Sequence, residues 1–189
     1  MPDEKAIYEF SHAHVAEYYA LVTRAFAFLP DKKYKCRLRA QELESIDFYP
    51  DTHALVAYVG EHVEVDVRWD FPEARVYVSF LELRVPRVRA NAFSPFDKDA
   101  GKARAMHLDE VAHVLGHADD PDFLLGDPNA IGGRDITRRF KLLQTNFSGA
   151  LEGLARATER YGAKILKGDK TLFSEVDAHR EELRKARGY

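Results

Sequence analysis

Residues 107–117, HLDEVAHVLGH, hold three histidines, one aspartate and one glutamate within eleven positions. Imidazoles and carboxylates are standard zinc ligands, and His113 and His117 stand four apart, the spacing that sets two rings on one helical face. Asp109 would complete the set, and a metal held there would make the chain a metal-dependent hydrolase. Two features oppose this. HVLGH lacks the glutamate that serves as general base in HExxH proteases. Gly116 also stands where a helix would stop, in the left-handed conformation that glycine adopts past a helix end, which would place His117 outside the helix. Asp109 and Glu110 then read as acids of a first helical turn. No metal or other cofactor is expected.

Other residue types suggest other chemistry. In DDPDFLLGD, Asp119, Asp120, Asp122 and Asp127 surround Phe123, Leu124 and Leu125. Charges ringing an apolar tip suit a protein-binding loop, and these acids would steer a basic partner. Glu64, Asp66 and Asp70 alternate with valines and tryptophan and are expected on a wet sheet face, where Glu64 and Asp66 would extend that contact surface. The segment 84–104 places Arg84, Arg87, Arg89, Lys98, Lys102 and Arg104 around Phe93 and Phe96, an arrangement that would suit nucleic acid. There is no GxSxG, and Cys36 has no base near it in sequence, so no catalytic nucleophile is assigned. Gly132 and Gly133 precede a helix start but belong to no phosphate-binding GxxxxGK[ST] loop.

Composition bounds these readings. The chain has 189 residues, 46% hydrophobic and 31% charged, enough for a buried core in a single domain. A formal charge of −3 opposes broad attraction to nucleic acid or anionic membrane. The lone cysteine rules out an internal disulfide and suits a reducing compartment. The opening MPDEKAIYEF has no signal-peptide pattern, and no apolar run approaches the roughly 20 residues of a membrane span, so a cytoplasmic protein is expected.

The elements that must position these groups follow from periodicity. Val15, Tyr18, Tyr19, Val22, Phe26 and Leu29 form one stripe at spacings of three and four, which predicts a helix over 12–29 with Ser11 as its cap and Pro30 as its stop. The period then becomes two. YKCRLRAQEL, ESIDFYP, THALVAYVG, HVEVDVRWDF and RVYVSFLEL read as strands, with turns at Pro50-Asp51, Gly60-Glu61 and Pro72-Glu73. Residues 84–104 read as a long connection, leading into a helix beginning at Met106. After a second loop, Ile136, Phe140, Leu143, Phe147, Leu151, Leu154 and Tyr161 mark a long helix capped by Asp135 and ended by Gly162. A last helix is expected near 171–187, capped by Asp169 or Thr171. The predicted fold is α+β, one domain over 1–189: a four- to five-stranded antiparallel meander packed against an N-terminal helix and C-terminal helices. Residues 1–83 carry the first helix and sheet, and 103–189 form the helical half.

The stretches VEVDVRW, LDEVAHVLG and AKILKGDKTLF, in this order around an antiparallel meander, resemble small bacterial immunity proteins of polymorphic toxin systems. The resemblance spans about half of the chain and implies a binding function, in which such a protein plugs a toxin's active site, with acidic surface set against a basic nuclease. It carries over no individual residue. The expected function is therefore a non-enzymatic protein-binding domain, possessing an immunity- or antitoxin-like form. A hydrolase using His113 and His117 and a nucleic-acid binder using Arg84, Arg87 and Arg89 are the alternatives.

Overall fold

The computed structural model describes residues 4–38, 53–83, 104–118 and 133–186. In chain order the elements are α1 (Glu4–Ala25), α2 (Phe28–Asp31), β1 (Lys35–Leu38), β2 (His53–Val59), β3 (Val63–Asp70), β4 (Arg75–Glu82), β5 (Ala105–His107), α3 (Leu108–Val114), α4 (Gly133–Tyr161) and α5 (Thr171–Ala186). A 3-10 turn, Ile165–Lys167, joins α4 to α5. The five strands lie in the order β1-β2-β3-β4-β5, each antiparallel to the next, so the sheet is the expected meander in an α+β fold. Among the described residues no helix is long and apolar enough to cross a membrane.

Two tight connections set the central register. Gly60 N–H donates to Val63 O across the β2–β3 turn. Ala74 N–H donates to Phe71 O across Phe71-Pro72-Glu73-Ala74, with proline at the turn position its fixed φ favours. These turns pair Val56 with Val67 and Val67 with Val78. One face of the sheet thus collects Ala54, Val56 and Tyr58 with Val63, Val65, Val67, Trp69, Val76, Val78 and Phe80, all in a single buried cluster with α1 and α4. Trp69 sits at its centre. Its ring lies 5.5 Å from Tyr18 of α1, 4.9 Å from Phe147 of α4 and 4.9 Å from Phe71. Tyr18 also donates its hydroxyl to Val67 O at 2.7 Å, which pins α1 to β3.

Several elements differ from the sequence-based expectation. Helix α1 starts at Glu4, and Ser11 is a buried interior residue rather than a cap, because Ile7 extends the apolar stripe one turn earlier. Pro30 lies inside α2, within a first turn whose N–H groups need no helical partner. Ala105–His107 form a strand where a helix was expected to begin; three residues are too few to show alternation, and only pairing with Ser79–Leu81 defines them. Helix α4 begins at Gly133, ahead of Asp135, and kinks at Asn146, whose φ/ψ is −154°/49°. Asp169, by contrast, serves the start of α5 as expected, accepting from Thr171 N–H at 2.9 Å. The stretch ESIDFYP lies outside the described residues.

Because Trp69 joins α1, β3 and α4, Trp69→Ala is expected to destabilise the chain by about 3–5 kcal/mol. Urea unfolding followed by far-ultraviolet circular dichroism measures this loss.

Candidate functional site

The histidine segment separates at Gly116. Helix α3 ends with His117 N–H donating to Ala112 O and Gly116 N–H donating to His113 O, and Gly116 takes φ +81°. This is the Schellman arrangement, in which a left-handed residue turns the chain away from the helix axis. The two histidines meet different elements: His113 packs against His179 of α5, with ring centroids 4.6 Å apart, while His117 stacks on Tyr161 of α4 at 5.1 Å. Asp109 turns toward the sheet, its Oδ2 3.7 Å from Arg75 Nη2. Among the described residues no group of three or more histidine, cysteine, aspartate or glutamate side chains is placed to hold a metal.

His107 occupies the more connected position. It is the last residue of β5 and the residue from which α3 springs, so one backbone position joins sheet to helix. Its N–H donates to Glu110 Oε2 at 2.7 Å, and its Nδ1 lies 2.9 Å from Ser79 Oγ on the neighbouring strand. Tyr77 meets the same imidazole edge-on at 5.4 Å. The guanidinium carbons of Arg68 and Arg75 lie 5.9 and 5.1 Å from the centre of the Tyr77 ring, within cation–π range. Burial lowers the His107 pKa and raises that of Asp109. Burial would also raise Glu110, but hydrogen bonds from Arg180 and the His107 backbone outweigh it and hold that carboxylate below its ordinary value.

Arg180 reaches from α5 to clasp Glu110 through two bonds, 2.7 Å from Nε and 2.6 Å from Nη2. A second clasp holds the end of β4. Glu82 accepts from Arg104 Nε at 2.7 Å and lies 3.1 Å from Lys170 Nζ. Hydrogen bonding by Arg104 is the main reason its pKa falls to about 2. Arg104 also donates to Ser174 and covers the Phe173 ring, so it is an anchor between β5 and α5 rather than a cation available to nucleic acid.

Glu64 and Asp66 require a correction. The register does put them on the sheet face opposite the valines, but they are only 4% and 3% exposed. On the same face Leu55, Ala57 and Val59 are equally buried, yet do not belong to the main core cluster. The part of this face around Glu64 and Asp66 is therefore buried rather than wet, while Lys35 and Arg37 at its β1 edge are exposed, and alternation alone could not tell the two apart. Asp119, Asp120, Asp122, Phe123 and Asp127 lie outside the described residues, as do Arg84, Arg87 and Arg89.

A second concentration of charge occupies the opposite edge of the sheet. Lys33, Lys35 and Arg37 line an open cleft of about 290 Å³ with Val59, Gly60 and Glu61. All three cations are exposed, and none has an ion-pair partner among the described residues. In the sequence Arg37 lies within YKCRLRAQEL, which reads as a strand. Lys35 and Arg37 were the visible signal, because every second residue of a strand shares a face. Ser79, His107 and Arg180 carried no comparable signal, since cross-strand register and helix docking bring them together.

No protein-family model, curated protein or solved structure matches the chain.

Two measurements check the clasps. Glu110→Gln, Arg180→Met and the double variant, compared by urea unfolding, are expected to show a coupling of about 1–2 kcal/mol, a value discounted for the partial exposure of both side chains. For Glu82, a folded pKa near 2 against an ordinary 4.5 contributes stability above pH 4.5 that disappears as pH falls toward 2. The stability gap between the wild-type chain and Glu82→Gln is therefore expected to narrow across that window.

Proposed function

We propose that this chain is a cytoplasmic protein-binding domain without catalytic chemistry of its own, and that its sharpest form is an immunity-type inhibitor of a toxin. The observation that supports this reading is the distribution of satisfied and unsatisfied charge. Around His107 the charged groups are engaged in fastening the fold: Glu110 with Arg180, Asp109 with Arg75, and Glu82 with Arg104 and Lys170. The cations at the β1 edge have no such role. Charge that fastens nothing inside the fold is available to a partner, where it directs encounter and selects against wrong surfaces.

The Ser79–His107 pair does not favour acyl transfer. Ser79 lies in the middle of β4, between β3 and β5, so the neighbouring backbone N–H groups serve the strand ladders and offer no oxyanion hole. The hydrolase alternative loses support from the divergence of His113 and His117. The acidic segment around Asp119, Asp120 and Asp122 remains the proposed contact for a basic partner.

Reconstitution from purified components tests the reading. A partner recovered from the native cell is expected to form a stoichiometric complex stable to gel filtration, and charge reversal at Asp119, Asp120 and Asp122 is expected to weaken it at least about tenfold. A chain that forms no reconstituted complex with any recovered candidate would overturn the proposal. Unchanged affinity in the charge-reversed variant would overturn the assignment of the acidic surface.

A further inference from the structure

We propose that the cleft beside β1 takes an extended acidic segment of a partner protein, which adds as a strand to the edge of β1 that has no partner strand among the described residues. The proposal rests on the protein-binding reading above and names the chemistry of one contact. Strand β1 pairs with β2 along one edge; among the described residues no strand lies along the other. An edge strand presents unpaired backbone donors and acceptors, and peptide capture by strand addition uses them.

The side chains specify what kind of peptide fits. Lys35 and Arg37 are paired with Val59 and Ala57, so they share one face of the sheet and lie about 6.6 Å apart along the strand. Acidic residues at alternate positions of an added strand have the same repeat and would stand opposite them, the arrangement in which cross-strand charges attract. Lys33, in the turn before β1, also lines the cleft. Among the described residues Glu61 is the one acid lining it, leaving the cations in excess.

Lys33 is also held in an unfavourable backbone. Its φ is +69°, in the left-handed region where glycine fits best. It closes the end of α2, with its N–H donating to Pro30 O and the next N–H, from Tyr34, donating to Leu29 O. Glycine would satisfy those bonds with less strain, but it would bring no charge to the cleft. The only other non-glycine residue described with positive φ, Ala74, is buried. An exposed lysine kept in a strained position points to use of its side chain.

Beside the cleft, Tyr34 fixes the backbone that carries the cations. This residue is buried between Lys33 and Lys35, and its hydroxyl donates to Leu166 O at 3.2 Å. Its ring fills the space beside Gly60 so closely that a Cβ there would meet Cε1 at 2.5 Å. Tyr34 thus anchors the chain between Lys33 and Lys35 to the core.

Other occupants fit less well. Among the described residues no aromatic side chain lines the cleft to stack a base, as single-stranded nucleic acid would require. A second copy pairing through β1 would set like charges against each other. Lysines that merely discourage edge-to-edge aggregation would need neither a cleft nor a strained backbone.

The test uses the full chain and acetyl-Glu-Thr-Glu-Val-Glu-Thr-amide as the probe. In an ¹⁵N-correlation titration at low ionic strength, shifts are expected in the amides of 35–38 and 59–61. Lys35→Glu with Arg37→Glu is expected to weaken binding at least about tenfold. Lys33→Gly is expected to raise the melting temperature while lowering peptide affinity, a separation that a purely structural lysine would not produce. The proposal is overturned if the shifts fall elsewhere, if the lysine counterpart of the peptide binds as well, or if oligothymidylate competes more strongly than the acidic peptide. In a reconstituted partner complex, affinity unchanged by the β1 reversals would overturn this contact and leave the protein-binding reading standing. If no partner complex forms yet the peptide binds at β1, the broader reading fails and the cleft assignment stands.

Discussion

The fold depends on Trp69. A single indole fills the space where α1 and α4 cross β3, and each neighbouring element supplies an aromatic ring to it: Tyr18 from α1, Phe147 from α4 and Phe71 from the following turn. This arrangement links helices that are more than a hundred residues apart in the chain. It also sets the sense of the strands. With Trp69 inward, the pleat turns Val67, Val65 and Val63 inward too, and a slip of one residue would reverse every one of them. The valine repeat and the tryptophan are therefore one constraint expressed twice.

Charge fastens the remainder. Apolar packing holds α1 and α4 to the sheet, but α3 is only seven residues long and has little surface with which to fix its direction. Two bonds from Arg180 and one from the His107 backbone converge on Glu110 and set that direction, because a planar guanidinium facing a carboxylate tolerates little rotation. Arg104 and Lys170 do the same for the end of β4. These pairs contribute orientation more than net stability, since each charged group must give up part of its hydration to form them.

How much of this was legible in the sequence varies with the range of the interaction. The meander was legible because each valine in VEVDVRW reports its own direction, and because Pro72 and Gly60 mark turns locally. The end of α3 was legible for the same reason: Gly116 carries its conformational preference with it. The clasp between Glu110 and Arg180 was not, since seventy residues separate them and nothing nearby announces the pairing. Strand β5 was hidden by its length, and the burial of Glu64 and Asp66 by the fact that alternation reports two faces without reporting what covers each. Of the candidate site, His107 and Asp109 stand in a segment whose residue types suit metal, whereas the structure uses His107 as the junction between strand and helix and brings Asp109 to Arg75.

The order of the strands has a consequence for how the chain acquires its shape. Neighbours in the sheet are neighbours in sequence, and β2, β3 and β4 are joined by turns of only three and four residues. Bringing them together closes small loops and costs little chain entropy. Strands β1 and β5 must wait for longer segments to close, and α4 must arrive from the far end of the chain. The central three strands, with Trp69 already turned to one side, form a natural folding nucleus on which the helices condense, and the low sequence separation of their contacts favours a rapid first step.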